Sequence, residues 1–175
     1  ALPVPTSLRP FDASGADSFP ELLPGPRNQK GLPVSIAHWK SQIELLAPEP
    51  GFRVALFSGP AGTGKTSFVS AGLLPRLSAE IITIHADAAH ELIELRLLTA
   101  LQEQHLIPRQ DPAGVQAPAS HQLTHALKTI RRAHGPAVLL VIDHFEHWLL
   151  QQSGIADTPL AQALQQCDGR RLQAL

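Results

Sequence analysis

The chain has 175 residues, 43% of them hydrophobic and 17% charged, with a formal net charge of −1. That length gives one domain a full core but is too short for two comfortable ones, and the composition is that of a globular chain rather than a disordered one. A near-neutral balance argues against a main task of neutralising nucleic-acid phosphates, and no apolar run approaches the roughly 20 residues of a membrane span.

The N-terminus lacks the basic-then-apolar order of a secretory signal. The single Cys167 cannot form an internal disulfide, which suits a reducing cytoplasm. Methionine is absent, even at position 1, so the expectation is a segment of a longer polypeptide.

Residues 1–34 are rich in proline, glycine and polar side chains. Proline fixes φ and disfavours helix in the residue before it, so an irregular or extended arm is expected, with a short helical turn in ADSFPELL. The domain proper is expected over 35–175. VSIAHWKSQIELL reads as a helix with Ser35 as N-cap and Ile36, Trp39, Ile43 and Leu46 on one stripe. FRVALFS (52–58) reads as a short buried strand. GPAGTGKT follows, and then SFVSAGLLPRL, a helix that Pro75 should end or bend.

EIITIHA (80–86) is the second expected strand and HELIELRLLTALQEQ (90–104) a helix with a buried face. PRQDPAGVQAPAS (108–120) is expected to be a loop, with Ser120 capping a helix that carries Leu123, Leu127 and Ile130. Gly135 suits a left-handed cap there, and Pro136 cannot continue the helix. VLLVIDHFEHWLL supplies a third strand. Asp157 or Thr158, with Pro159 at the first helical position, starts a last helix to about Gln166. DGR turns the chain into RLQAL, the opening of a fourth strand. No internal repeat is visible. Strands separated by helices at these lengths indicate an α/β fold with a parallel sheet.

Gly59-Pro60-Ala61-Gly62-Thr63-Gly64-Lys65-Thr66 fits the phosphate-loop pattern G-x-x-x-x-G-K-[ST] in full, between a predicted strand and a predicted helix. Glycines let the backbone wrap until successive N–H groups point at phosphate oxygens, and the helix beginning there adds its dipole. Lys65 is expected on the β and γ phosphates, the Thr66 hydroxyl on Mg²⁺, and Ser67 at the edge of the same site. Asp143, at the end of an apolar strand about 80 residues downstream, is the expected Mg²⁺ residue, acting through water. Many such ATPases place glutamate directly after that aspartate, but here the position is His144. Glu146, three residues beyond Asp143, is the nearest acid and the candidate water activator.

His144 and His147 have H-x-x-H spacing but no evident third ligand, so they read as polar groups at a pocket edge rather than a metal site. Phe145 and Trp148 read as packing residues. Arg131-Arg132 reads as a solvated helix end where cations suit the dipole, and Cys167 as a small buried hydrophobe.

SGPAGTGKTSFVSAGLLPRL together with VLLVIDHFEHWLL resembles the novel STAND NTPases, signal-transduction ATPases related to the AAA+ and apoptotic-ATPase lineage. The shared marks are the AGLLPRL tail after the phosphate loop and the Asp-x-Phe-Glu element after the third strand. The arm and the ending ALQQCDGRRLQ are similar to the version attached to bacterial serine/threonine-kinase or WD-repeat proteins. The resemblance implies a three-layer P-loop NTPase of the ASCE type. Its fourth strand would insert between the phosphate-loop strand and the Asp143 strand, and the segment would stop around that strand as the N-terminal part of a longer module. It also implies binding of ATP, or less commonly GTP, with Mg²⁺, slow hydrolysis, and a switch that controls effector or sensor domains of the same polypeptide. Nucleotide-dependent self-association belongs to the same picture; nucleic acid and membrane do not. By resemblance the base pocket maps near Pro24–Lys30, with Arg27 as its basic residue. The family commonly has glutamine where this chain has His144, and many members continue Glu-Glu where Glu146 is followed by His147.

Two other function classes fit less well. A non-hydrolysing scaffold with nucleotide as a structural ligand would suit the replaced glutamine. A P-loop kinase acting on a small molecule would need an acceptor-binding acid after the second strand, for which Asp87 is available, and an arginine-rich lid, which is not evident.

Overall fold

A computed structural model of the chain describes residues 10–44, 51–89, 92–108, 119–152, 154–156 and 158–175. The helices are α1 (Phe19–Leu22), α2 (Val34–Glu44), α3 (Lys65–Ser67), α4 (Ile93–Glu103), α5 (Ala119–Arg132), α6 (Phe145–Gln151) and α7 (Pro159–Leu164). The strands are β1 (Ile81–Asp87), β2 (Ala137–Asp143) and β3 (Leu172–Ala174). The chain divides into two compact units, residues 1–46 with 56–79, and residues 47–55 with 80–175. Among the described residues no helix is long and apolar enough to cross a membrane.

The second unit is an α/β layer. Its sheet is parallel with order β1-β2-β3. Ile81 pairs with Ala137 and Asp87 with Asp143, so both strands end on an aspartate at one register position. β2 reads as a near-continuous apolar run because it is central: Val138, Leu139, Leu140 and Val141 are all buried. Helices α4, α5 and α7 bury Leu97, Leu101, Leu123, Leu127 and Leu160 in one core with Ile84, Val138 and Leu140. The expected stripe Leu123, Leu127, Ile130 is thus the buried face of α5. Thr158 caps α7, its hydroxyl accepting from the Ala161 N–H at 3.4 Å.

The fourth-strand expectation for RLQAL corresponds to β3, which pairs with β2 through Val138, Leu139 and Leu140. On its other side β3 meets the segment that leads toward the phosphate loop, where Val54 bridges Ala174 in parallel. Ala55 N–H donates to Ala174 O at 2.9 Å and Ala174 N–H to Arg53 O at 3.0 Å. The expected strand over 52–58 is therefore corrected to this single bridge. β3 spans three residues and offers only Ala174 to that segment, too little for a continuous ladder.

In the first unit the helix after the phosphate loop departs from a plain α-helix. After α3 the chain runs π-helically over Phe68–Leu73 and turns 3₁₀ over Leu74–Arg76. Pro75 is the cause at the far end. It has no N–H for the Ala71 carbonyl, and the Arg76 guanidinium takes over, donating from Nη1 to Ala71 O at 2.8 Å and Gly72 O at 2.9 Å. Its Nη2 also donates to Ala16 O, which ties the proline-rich arm to this helix. Phe19, in α1, is buried and stacks obliquely on Phe11 with ring centroids 5.6 Å apart. The arm between Pro26 and Val34 is a closed turn. Asn28 Oδ1 accepts from the N–H groups of Lys30 and Leu32, each at 3.0 Å, an arrangement asparagine favours.

Two cap expectations need correction. α2 begins at Val34, so Ser35 lies inside the helix rather than at its cap. Gly135 does not take a left-handed conformation, since its φ is not positive; Arg171 Nη2 donates instead to the Ala133 carbonyl near the end of α5 at 2.9 Å. Four sequence expectations lie outside the described residues: the stripe position of Leu46, most of the 108–120 loop, the Ser120 side chain as a cap, and the Asp157 alternative.

Candidate functional site

In the first unit the phosphate-loop motif folds as the glycine pattern demands. Gly62 and Gly64 lie in the left-handed region, with φ of +77° and +80°, conformations in which any other residue would be strained. The Thr63 hydroxyl closes the loop by donating to Pro60 O at 2.8 Å. Lys65 reaches back over the loop, its Nζ donating to Gly59 O at 2.8 Å and Pro60 O at 3.0 Å. Its ammonium is therefore held at the loop and supplies one positive charge there. Gly59, Pro60, Ala61, Gly62, Thr63 and Gly64 are exposed; Lys65 and Thr66 are half-buried. Ser67 is buried, and its hydroxyl accepts from the Phe11 N–H at 3.0 Å, anchoring the arm. Phe57, just before the loop, stacks on Phe68, just after it, with centroids 5.0 Å apart.

The groups such a loop would hold, a nucleotide with Mg²⁺, fit these residues. The backbone curl is open to solvent, a cation stands at the loop, and the Thr66 hydroxyl follows it at the start of the helix.

Arg27 is exposed, and its guanidinium donates to Pro20 O at 2.9 Å and Gly31 O at 3.3 Å. With Lys30, Arg76, Asp17, Glu21 and Leu32 it lines a cavity of about 450 Å³ in the same unit.

In the second unit the strand ends gather the acids. Asp143 closes β2 and is half-buried. The next residue, His144, is left-handed at φ 53° and ψ 33°, uncommon for a residue with a side chain. This conformation turns the chain from β2 into α6. The His144 N–H donates to Asp143 Oδ1 at 2.9 Å, and its ring Nδ1 lies 3.1 Å from Asp87 Oδ1. Asp87 Oδ1 also accepts from the Ala89 N–H at 2.8 Å. Glu146 stands in the first turn of α6, where an acid suits the helix dipole, and is exposed. The His147 ring meets that of His144 edge-on at 6.1 Å. Phe145 and Trp148 stack at 5.1 Å and pack against the core, as their sequence reading expects. Among the described residues no group of three or more His, Cys, Asp and Glu side chains is arranged to hold a metal ion.

The Asp87–His144 contact is what sequence reasoning missed. Its signal was present: IITIHAD and VLLVID are both apolar runs that stop on aspartate. Only the parallel register shows that the two runs end side by side.

Cys167 is buried. Burial, helped by the negative charge of Asp168, pushes its thiol up to about 12, so it is an inert packing group rather than a nucleophile. Burial by itself would raise the Asp168 carboxyl, but the N–H groups of Arg170, Leu172 and Arg171 hold it below the ordinary carboxylate range. This carboxylate fixes the turn into β3.

No curated protein and no solved structure matches the chain. A family model does, that of Novel STAND NTPase 1, over residues 38–172. The match takes in the phosphate loop, β1, β2, α6 and the start of β3. The chain belongs to the novel STAND NTPase family.

Proposed function

We propose that the chain is the nucleotide-binding switch module of a larger cytoplasmic signalling polypeptide, binding ATP, or less commonly GTP, and hydrolysing it slowly. The observation that carries this reading is the loop Gly59–Thr66, with Gly62 and Gly64 left-handed and Lys65 Nζ held on the loop. The loop N–H groups and Lys65 would engage the phosphates, with Ser67 supporting them through its bond to the arm. Thr66 and, through water, Asp143 would hold Mg²⁺, which when bound would neutralise charge on the phosphates. Glu146 would take the proton from the attacking water. Arg27 and its neighbours around Pro24–Lys30 would receive the base, a reading that the cavity they line supports. The bridge between Val54 and Ala174 supports an ASCE-type order, with β3 between the phosphate-loop segment and β2.

The effector or sensor domains such a switch would control are of the kinase or WD-repeat type, with nucleotide-dependent self-association as a further output. A second reading, a scaffold that holds nucleotide without hydrolysing it, is favoured by one observation. Glu146 is exposed and, among the described residues, has no hydrogen-bond partner to aim it. The small-molecule kinase reading loses ground because Asp87, its acceptor-binding acid, is engaged by Ala89 and His144.

The test is nucleotide binding and turnover with Mg²⁺. Lys65→Ala is expected to abolish binding, and Glu146→Gln to retain binding while losing hydrolysis. Unchanged binding by Lys65→Ala would refute the reading, and undiminished turnover by Glu146→Gln would remove that residue from the mechanism.

A further inference from the structure

We propose that the arm from Phe11 to Leu22 is a strap on the helix that follows the phosphate loop, and that its docking sets how tightly the loop takes nucleotide. The proposal rests on the nucleotide-binding reading above. Arm, loop and helix all belong to the first unit. Three contacts dock the arm. At the near end the Phe11 N–H donates to Ser67 Oγ at 3.0 Å, two residues after Lys65. In the middle Phe19 closes over Gly72. A Cβ built on Gly72 would lie 3.1 Å from Phe19 Cε1 and 3.2 Å from Ile36 Cδ1, so the missing side chain is what lets the ring approach. At the far end the Arg76 guanidinium joins Ala16 O of the arm to Ala71 O and Gly72 O of the helix.

The helix under the strap has a second conformation within reach. Over Phe68–Leu73 it is π-helical, and the Leu74 N–H donates to Val69 O, five residues back. π turns are rare and recur at functional sites. The common alternative is the α-helix, in which Leu74 would bond Ser70 O instead. Because Arg76 fixes the far end, such a change of register is passed to the near end, where Lys65, Thr66 and Ser67 stand. The strap itself is lightly held. Between Phe11 and Leu22 the buried residues are Phe19 and Pro20, and a segment with so little burial opens at low cost. Docked, it fixes the first turn before nucleotide arrives, which lowers the ordering cost of binding. The coupling is reciprocal, so bound nucleotide must in turn hold the strap down.

The test measures binding of a fluorescent non-hydrolysable ATP analogue, and of its GTP counterpart, by the full chain with Mg²⁺. Phe19→Ala frees the strap and is expected to weaken binding about 10-fold. Phe19→Leu keeps apolar bulk over Gly72 and should recover most of the loss. In Phe19→Ala the Leu74 N–H should change its acceptor from Val69 O to Ser70 O, read as NMR coupling across the hydrogen bond. A last readout needs no variant: in wild type, saturating analogue should slow exchange of the Phe11 amide by up to about 10-fold.

The proposal is overturned by wild-type affinity in Phe19→Ala, or by Phe11 exchange that nucleotide leaves unchanged. If circular dichroism shows that Phe19→Ala does not fold, the Phe11 exchange of wild type decides. Lys65→Ala run alongside distinguishes the two failures. If it abolishes binding while Phe19→Ala binds as wild type does, the nucleotide-binding reading stands and only this inference falls. If the wild-type chain binds neither analogue, both fall.

Discussion

The turn that feeds β3 offers a sharp test of how the second unit holds the segment leading to the phosphate loop. Gly169 has φ +77°, and a Cβ built on it would lie 2.3 Å from the Gly51 carbonyl oxygen. The same pair of residues is joined by the Gly51 N–H donating to Gly169 O at 2.7 Å. Gly169→Ala therefore incurs two costs. Alanine in the left-handed region loses about 1 to 2 kcal/mol. Removing the overlap requires the Gly51 carbonyl to move away by more than 1 Å, roughly the shortfall from ordinary carbon–oxygen contact, which also breaks that hydrogen bond and loses about 1 kcal/mol. Against this, alanine stiffens the unfolded chain by about 0.5 kcal/mol. The net expectation is a loss of about 1.5 to 2.5 kcal/mol, or a melting temperature lower by about 3 to 10 °C for a chain of this size. Gly154→Ala is the control, because nothing lies within 4 Å of its added Cβ and its φ is not left-handed. The assay is urea unfolding followed by far-UV circular dichroism. If Gly169→Ala and Gly154→Ala unfold at the same urea concentration, the reasoning about this turn is refuted.

Leu127→Ala, at a fully buried α5 position, should cost about 3 to 5 kcal/mol by removing side-chain volume from the core, read from the same unfolding curves. Asp168→Ala should cost about 2 kcal/mol at neutral pH, since three backbone N–H groups lose a partly exposed charged acceptor. Because the folded-state pKa of Asp168 is lowered, its contribution is complete above the ordinary carboxylate value and fades as pH falls below about 4. The stability gap between wild type and Asp168→Asn should therefore narrow in acid, and a constant gap would contradict the assignment. With its thiol pushed up to about 12, Cys167 should resist alkylation by iodoacetamide at pH 8 in the native chain and react in urea, as mass spectrometry would show. Arg76→Lys should destabilise the first unit by about 1 to 2 kcal/mol, because a point ammonium cannot bond the Ala71, Gly72 and Ala16 carbonyls together.

Local chemistry made much of this molecule legible in the sequence. The phosphate loop was readable because its glycines and Lys65 are required by backbone geometry within eight residues. The α5 face was readable because helical periodicity needs only spacing, and the α7 start because Thr158 and Pro159 act on their own helix. The Asp143 strand end was readable as an apolar run stopping on an acid. What depends on partners distant in the chain was not. The 3₁₀ turn that ends this helix comes from Pro75 removing a donor, with the Arg76 guanidinium donating to the Ala71 and Gly72 carbonyls and to the Ala16 carbonyl of the arm. The 52–58 segment carries a strand-like pattern, but strand structure needs a neighbour, and Ala174 alone pairs with Val54. Glu146 and Asp143 could be named from spacing. That His144 is left-handed and meets Asp87 follows only from the register that sets residue 87 beside residue 143. Residue types and short spacings declared the phosphate chemistry; tertiary structure decided which acid holds which histidine, because a parallel sheet brings together strand ends that lie 56 positions apart in the chain.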